Sequence, residues 1–205
     1  MRHLIKYSLQ LILLFATTIS CNNDERTPSE ENTPTPLKIG DMYEGGMDFF
    51  IDETGEHGLI AATEDLDRFP DIWGCVASMS STAQQVAIAT ATTNTRSIVS
   101  NCPDENTASK WCAELELNGF NNWYLPSINE LEVMYIHKNA IVNFEQSDPE
   151  NSIYMSSSES LPDGDEGYYK CYVSDFSATL LLAATRKVNT SKGNNSLKAR
   201  PVRSF

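Results

Sequence analysis

The chain has 205 residues, 40% of them hydrophobic and 21% charged. That suits one folded domain with a tail. Asp and Glu outnumber Lys and Arg 28 to 15, for a formal net charge of −13. So acidic a chain is a poor partner for nucleic acid and for an anionic membrane surface. Three histidines leave little material for a His-rich metal site.

Residues 1–20 read as an export signal. Arg2, His3 and Lys6 make a basic start, and residues 9–19 are apolar. That stretch is shorter than the roughly 20 residues of a membrane-spanning helix and fits a removable secretory leader. The junction Thr18-Ile19-Ser20-Cys21 resembles a bacterial lipoprotein box, although that family usually has Leu where Thr18 stands. The resemblance implies acylation of Cys21 and anchoring in the outer membrane; two or more acyl chains hold stably. Residues 21–36 are rich in Pro, Thr and acid and hold no large apolar residue, so they are expected to be a disordered tether. The Asn-Asn-Asp-Glu after Cys21 is similar to surface-export signals of Bacteroidota lipoproteins, and a plain solvated spacer is an equal reading.

The folded domain is expected over residues 37–205. Residues 42–51 and 58–63 read as strands joined in a hairpin across the turn-rich 52–58. Gly45-Gly46 suggests a bulge or a close backbone approach. Residues 93–100 and 108–117 read as helices; Ala108, Trp111, Cys112 and Leu115 fall on one helical face, and Asn118-Gly119 ends it. Ser127 and Glu130 form a capping box before a third helix that fades near Lys138. Strands are expected at 153–157, 167–175, 180–185 and 197–205, with 161–166 and 189–195 as connections. Strands, then helices, then strands indicate an α+β fold.

Without Cys21, four cysteines remain: Cys75, Cys102, Cys112 and Cys171. An even number in an exported protein suggests two disulfides, and three pairings are open. Cys75 with Cys102 is a fair pairing, because both flank one irregular segment. No C-x-x-C or His pair supports zinc. Cys112 with His137 is conceivable as a nucleophile and base, but structural use is the default for exported cysteines. His57 and His137 stand alone in the sequence, and no catalytic residue is singled out.

Three phrases occur in order: Tyr43-Glu44-Gly45-Gly46; Trp123-Tyr124-Leu125-Pro126-Ser127 with Glu130-Leu131; and Ala199-Arg200-Pro201-Val202-Arg203-Ser204-Phe205. A helix around Trp111-Cys112 and the run Tyr154-Met155-Ser156-Ser157-Ser158-Glu159 lie between them. Together they resemble the C-terminal domain family of the Legionella collagen-like adhesin, over roughly residues 39–205. The resemblance implies a C-type-lectin-like fold in a small, disulfide-supported surface module that binds an extracellular glycan or protein. It transfers no ligand, since function resides in the site rather than the fold. An enzyme of the formylglycine-generating type, a carbohydrate-active hydrolase and a structural envelope component are the alternatives. The residues Trp123, Pro126, Ser127, Glu130, Arg200, Pro201 and Arg203 read as structural, with the arginines pairing with acids of the domain.

Candidate binding residues follow from chemistry. Trp73, Tyr168 and Tyr169 are loop aromatics suited to stack on sugar faces. From Phe176 onward there is no Asp or Glu, and Arg186, Lys187, Lys192, Lys198, Arg200 and Arg203 offer cations to a sulfated glycan; neutralisation by the acidic 41–71 is the competing reading. For calcium, which takes oxygen ligands, the acidic groups are Asp104, Glu105 and Asn106 after Pro103, and Asp148, Glu150 and Asn151 around Pro149. Asp163, Asp165 and Glu166 make a third acidic loop. A solvated acidic loop is the preferred reading of each, so no metal or cofactor is expected, with calcium as the exception to test.

Overall fold

The computed structural model describes residues 35–66, 73–76, 83–144, 146–148, 151–160, 170–177, 187–192 and 197–205. All of these but Thr35 belong to one compact unit, Pro36–Phe205. The leader, Cys21 and nearly all of the expected tether lie outside the described residues, as does the strand expected at 180–185.

The fold is α+β. In chain order it runs β1 (Met42–Tyr43), β2 (Gly46–Ile51), β3 (Gly58–Ala61), α1 (Ala91–Asn101), α2 (Ala108–Ala113), α3 (Ile128–Ile136), β4 (Ile153–Glu159), β5 (Lys170–Asp175), β6 (Lys187–Ser191) and β7 (Val202–Ser204). Among the described residues two antiparallel sheets form, ordered β1-β2-β3-β7 and β4-β5-β6. The first joins strands from both ends of the domain, with Leu59 opposite Ser204 and Ala61 opposite Val202. Tyr124 makes a further bridge to Val202, so the Trp123–Leu125 phrase lies along the outer edge of β7.

Residues 42–51 do not form one strand. Glu44 and Gly45 take φ of 39° and 91°, and the chain reverses there, pairing Tyr43 with Gly46. Gly46 has no room for a side chain: a Cβ would sit 2.3 Å from the Ala61 carbonyl oxygen. The second helix stops at Ala113 rather than near Leu117, because Leu117 and Phe120 close a tight turn over Asn118 and Gly119, both at positive φ. β6 occupies residues read from sequence partly as a connection.

Alternation along β2 decides what each sheet face buries. Met47 and Phe49 join Leu59, Ala61 and Val202 against Ile128, Leu131, Met134 and Tyr135 of α3. Phe144, Tyr154 and Phe176 complete this core, with ring centroids 4.5–5.3 Å apart. The opposite face packs Ile60 and Ala62 on Trp123, with Tyr43, Leu115, Phe120 and Phe205 around them. A third cluster gathers Trp73, Ile98, Cys112, Met155, Cys171 and Val173.

The α3 cap is complete. Ser127 Oγ accepts from Glu130 N, and Glu130 Oε2 accepts from Ser127 N. Glu130 Oε1 also accepts from Ala89 N at 2.8 Å, tying the approach to α1 onto the start of α3. Burial lifts this carboxyl from its ordinary 4.5 to about 7, against the pull of those hydrogen bonds.

Candidate functional site: a polar cleft beside β7

Several residues offered by the sequence as ligand contacts are structural. Trp73 is 1% exposed, so it has no face free to stack on a sugar. Its indole Nε1 donates to the Ser156 carbonyl at 2.5 Å, and its carbonyl accepts from Ser109 Oγ. Lys192 is fully buried, lies 4.7 Å over the Trp73 ring and pairs with the equally buried Glu159. That pairing takes Lys192 away from any sulfate. Lys187 opens β6; Tyr168, Tyr169 and Arg186 lie outside the described residues.

Four of the C-terminal cations, Lys192, Lys198, Arg200 and Arg203, pair with acids of the domain. Arg200 Nε donates to Asp65 at 2.7 Å, and its other nitrogens reach the carbonyls of Ala62, Val142 and Asn143. Lys198 shares Asp65. Arg203 holds the Glu44 carboxylate at 3.0 Å and the Asn122 side chain at 2.9 Å, with its guanidinium over the Phe120 ring. The Pro201 carbonyl accepts from Ala62 N, and that of Pro126 from Ser157 N.

The acidic groups are used locally. Asp104 accepts from the Asn106 amide, Glu105 pairs with Lys110 at 2.5 Å, and Asp148 accepts from Asn151 Nδ2. Glu150, Asp163, Asp165 and Glu166 lie outside the described residues. Among the described residues no group of three or more His, Cys, Asp and Glu is placed to hold a metal ion.

Among the described residues one disulfide forms, Cys75–Cys102, with Cα atoms 5.1 Å apart. The expected second bridge is absent: Cys112 and Cys171 are free thiols, both buried. Burial alone pushes the Cys112 thiol far above its ordinary range, and burial leads the rise of Cys171 to about 12. Cys112 is packed in the cluster of Trp73, Ile98 and Met155 and has no surface at which to meet a substrate.

The arrangement best suited to a ligand uses residues that the sequence did not single out for binding. A cleft of about 350 Å³ opens between α1, the Asn121–Asn122 segment and β7. Thr92, Thr95 and Arg96 come from successive turns of α1, and Ser204 from β7. Trp123 and Tyr124 form its inner wall, both nearly buried. The Tyr124 hydroxyl is hydrogen-bonded to Thr92 and Ser204, and burial raises it well above the usual phenol range, with the Glu130 charge adding to the rise. Tyr124 therefore stays a neutral hydroxyl at every physiological pH. Asn122 is oriented by Arg203, which donates to its Oδ1, so its Nδ2 remains to donate elsewhere.

The electrostatics are distinctive. In a chain of net charge −13, no Asp or Glu lines this cleft among the described residues. Arg96 is exposed and, among the described residues, forms no ion pair. Amides, hydroxyls and one uncommitted guanidinium can hold polyhydroxylated or anionic groups.

No protein-family model matches this chain, and no curated protein matches it at a significant level. Among the described residues no helix is long and apolar enough to cross a membrane.

Proposed function

We propose that the protein is a lipid-anchored, exported binding module of C-type-lectin-like type, which recognises an extracellular glycan through the cleft beside β7. Acylation at Cys21 and the polar 21–36 segment would hold the domain away from the outer membrane. The antiparallel sheet that joins both ends of the domain, with helices inserted between, supports the fold reading. The observation that carries the ligand reading is Arg96. It is an uncommitted cation in a cleft of amides and hydroxyls, while the other arginines described, Arg200 and Arg203, are paired with acids.

The test is a glycan array probed with the full chain, with and without a calcium chelator and at two salt concentrations. Saturable binding that weakens in high salt fits a site built on Arg96. Binding abolished by chelator would place recognition on the acidic loops instead. No binding to any glycan would overturn the reading. Cys21→Ala should release the protein from membranes, and retention of that variant would refute the anchor.

A further inference from the structure

A second cleft, of about 410 Å³, shares the lining residue Ser204 with the first. Phe50, Leu59, Ile88 and Phe205 line it, together with Asp52 and His57. Ser204 is exposed, so nothing covers the residue that the two hollows share.

The apolar hollow is built on fixed backbone. A Cβ on Gly58 would come 2.5 Å from the Phe205 ring, so only glycine lets that ring lie where it does. The ring is held on its other side by Tyr43, edge to face at 5.0 Å. Ala89, which also lines the hollow, has φ of 66°, a conformation that non-glycine residues seldom adopt, and the Glu130 carboxylate fixes its N–H. A cavity whose walls are set before binding loses little freedom on binding.

We infer that the two hollows form one bipartite site for a glycoside of an acidic sugar: the sugar and its carboxylate lie on the Arg96 side of Ser204, and an apolar aglycone lies between Phe50, Ile88 and Phe205. Each hollow alone is near the lower end of the usual ligand-pocket range of about 300–1,000 Å³; together they hold a ligand of two unlike parts. The division of chemistry is sharp. Guanidinium and amides suit a carboxylate and hydroxyls, while two phenyl rings and two aliphatic chains suit a flat apolar group. This inference rests on the reading of the polar cleft as a sugar site.

Three small glycosides separate the two claims: p-nitrophenyl β-glucuronide, methyl β-glucuronide and p-nitrophenyl β-glucoside. Titration of the full chain, followed by calorimetry or ligand-observed NMR, should rank the first about tenfold or more above each of the others. Arg96→Ala should erase the advantage of the glucuronide over the glucoside. Ile88→Ser should erase the advantage of the aryl over the methyl glycoside. Arg96 is exposed and unpaired, so its replacement leaves the fold intact; the ligand comparison on the wild type covers the case where Ile88→Ser does not fold. Equal binding of aryl and methyl glucuronides, with both sensitive to Arg96→Ala, would overturn the bipartite site and leave the sugar site standing. No binding of any of the three would overturn both.

Discussion

The Asp48→Asn variant should gain stability relative to the wild type as the pH rises from about 4.5 to about 8. Asp48 is fully buried on β2, and neither carboxylate oxygen has a hydrogen-bond partner. Burial, with added repulsion from Asp41 and Glu44, raises its pKa from 3.8 to about 6. The folded pKa lies above the unfolded one, so the fold holds this proton more tightly. The favourable term is fully present below about pH 4 and is lost as the pH climbs through 6. A shift of about two units, at about 1.36 kcal/mol each, sets a ceiling of ~3 kcal/mol; screening of the exposed Asp41 and Glu44 charges brings this to roughly 1–3 kcal/mol. Asn brings its own cost, a buried unsatisfied amide of about 1–3 kcal/mol, at every pH. That constant cancels when variant and wild type are compared at two pH values. Urea unfolding should show the difference between them moving in favour of Asn by about 1–2 kcal/mol between the two conditions. A difference that is the same at both pH values would refute the account of Asp48 as an uncompensated buried acid.

Other outcomes follow from the same structure. Lys192→Met strands Glu159 in the core and should cost about 3–5 kcal/mol, and pairing it with Glu159→Leu should recover much of that loss in thermal unfolding. Cys102→Ser opens a loop with a sequence separation of 27 and should lose about 3–4 kcal/mol, read by denaturant titration. Cys112 and Cys171 should resist alkylation in the native protein and react after unfolding without reductant; mass spectrometry showing them joined would contradict the free thiols. Ser127→Ala removes one half of the α3 cap and should cost about 1 kcal/mol.

The parts of the fold legible in the sequence were those fixed by local chemistry. The Ser127–Glu130 box announces α3, because cap and helix lie within four residues of each other. The Cys75–Cys102 pairing was legible as well, since both cysteines flank one irregular segment. The reversal at Glu44 was not, because a non-glycine residue at positive φ has no local signature. β6 was partly read as a connection because Lys187–Ser191 carries one apolar residue, Val188; its pairing with β5 comes from the sheet, not from its own pattern. Trp73 reads as a loop aromatic because its neighbours in sequence are irregular, yet residues more than 80 positions away bury it. The polar cleft was invisible for a related reason. Arg96, Asn122 and Ser204 meet only after α1 and β7 pack around the Trp123–Tyr124 segment, and each alone reads as an ordinary surface residue.

The most direct measurement is the affinity of the full chain and of Arg96→Ala for a glucuronate-bearing oligosaccharide at low salt. A lone guanidinium–carboxylate contact in this cleft should make the wild type bind about tenfold or more tightly than the variant, with the melting temperature unchanged. Equal affinity in the two proteins, or no binding by either, would contradict the assignment of the cleft beside β7 as the ligand site.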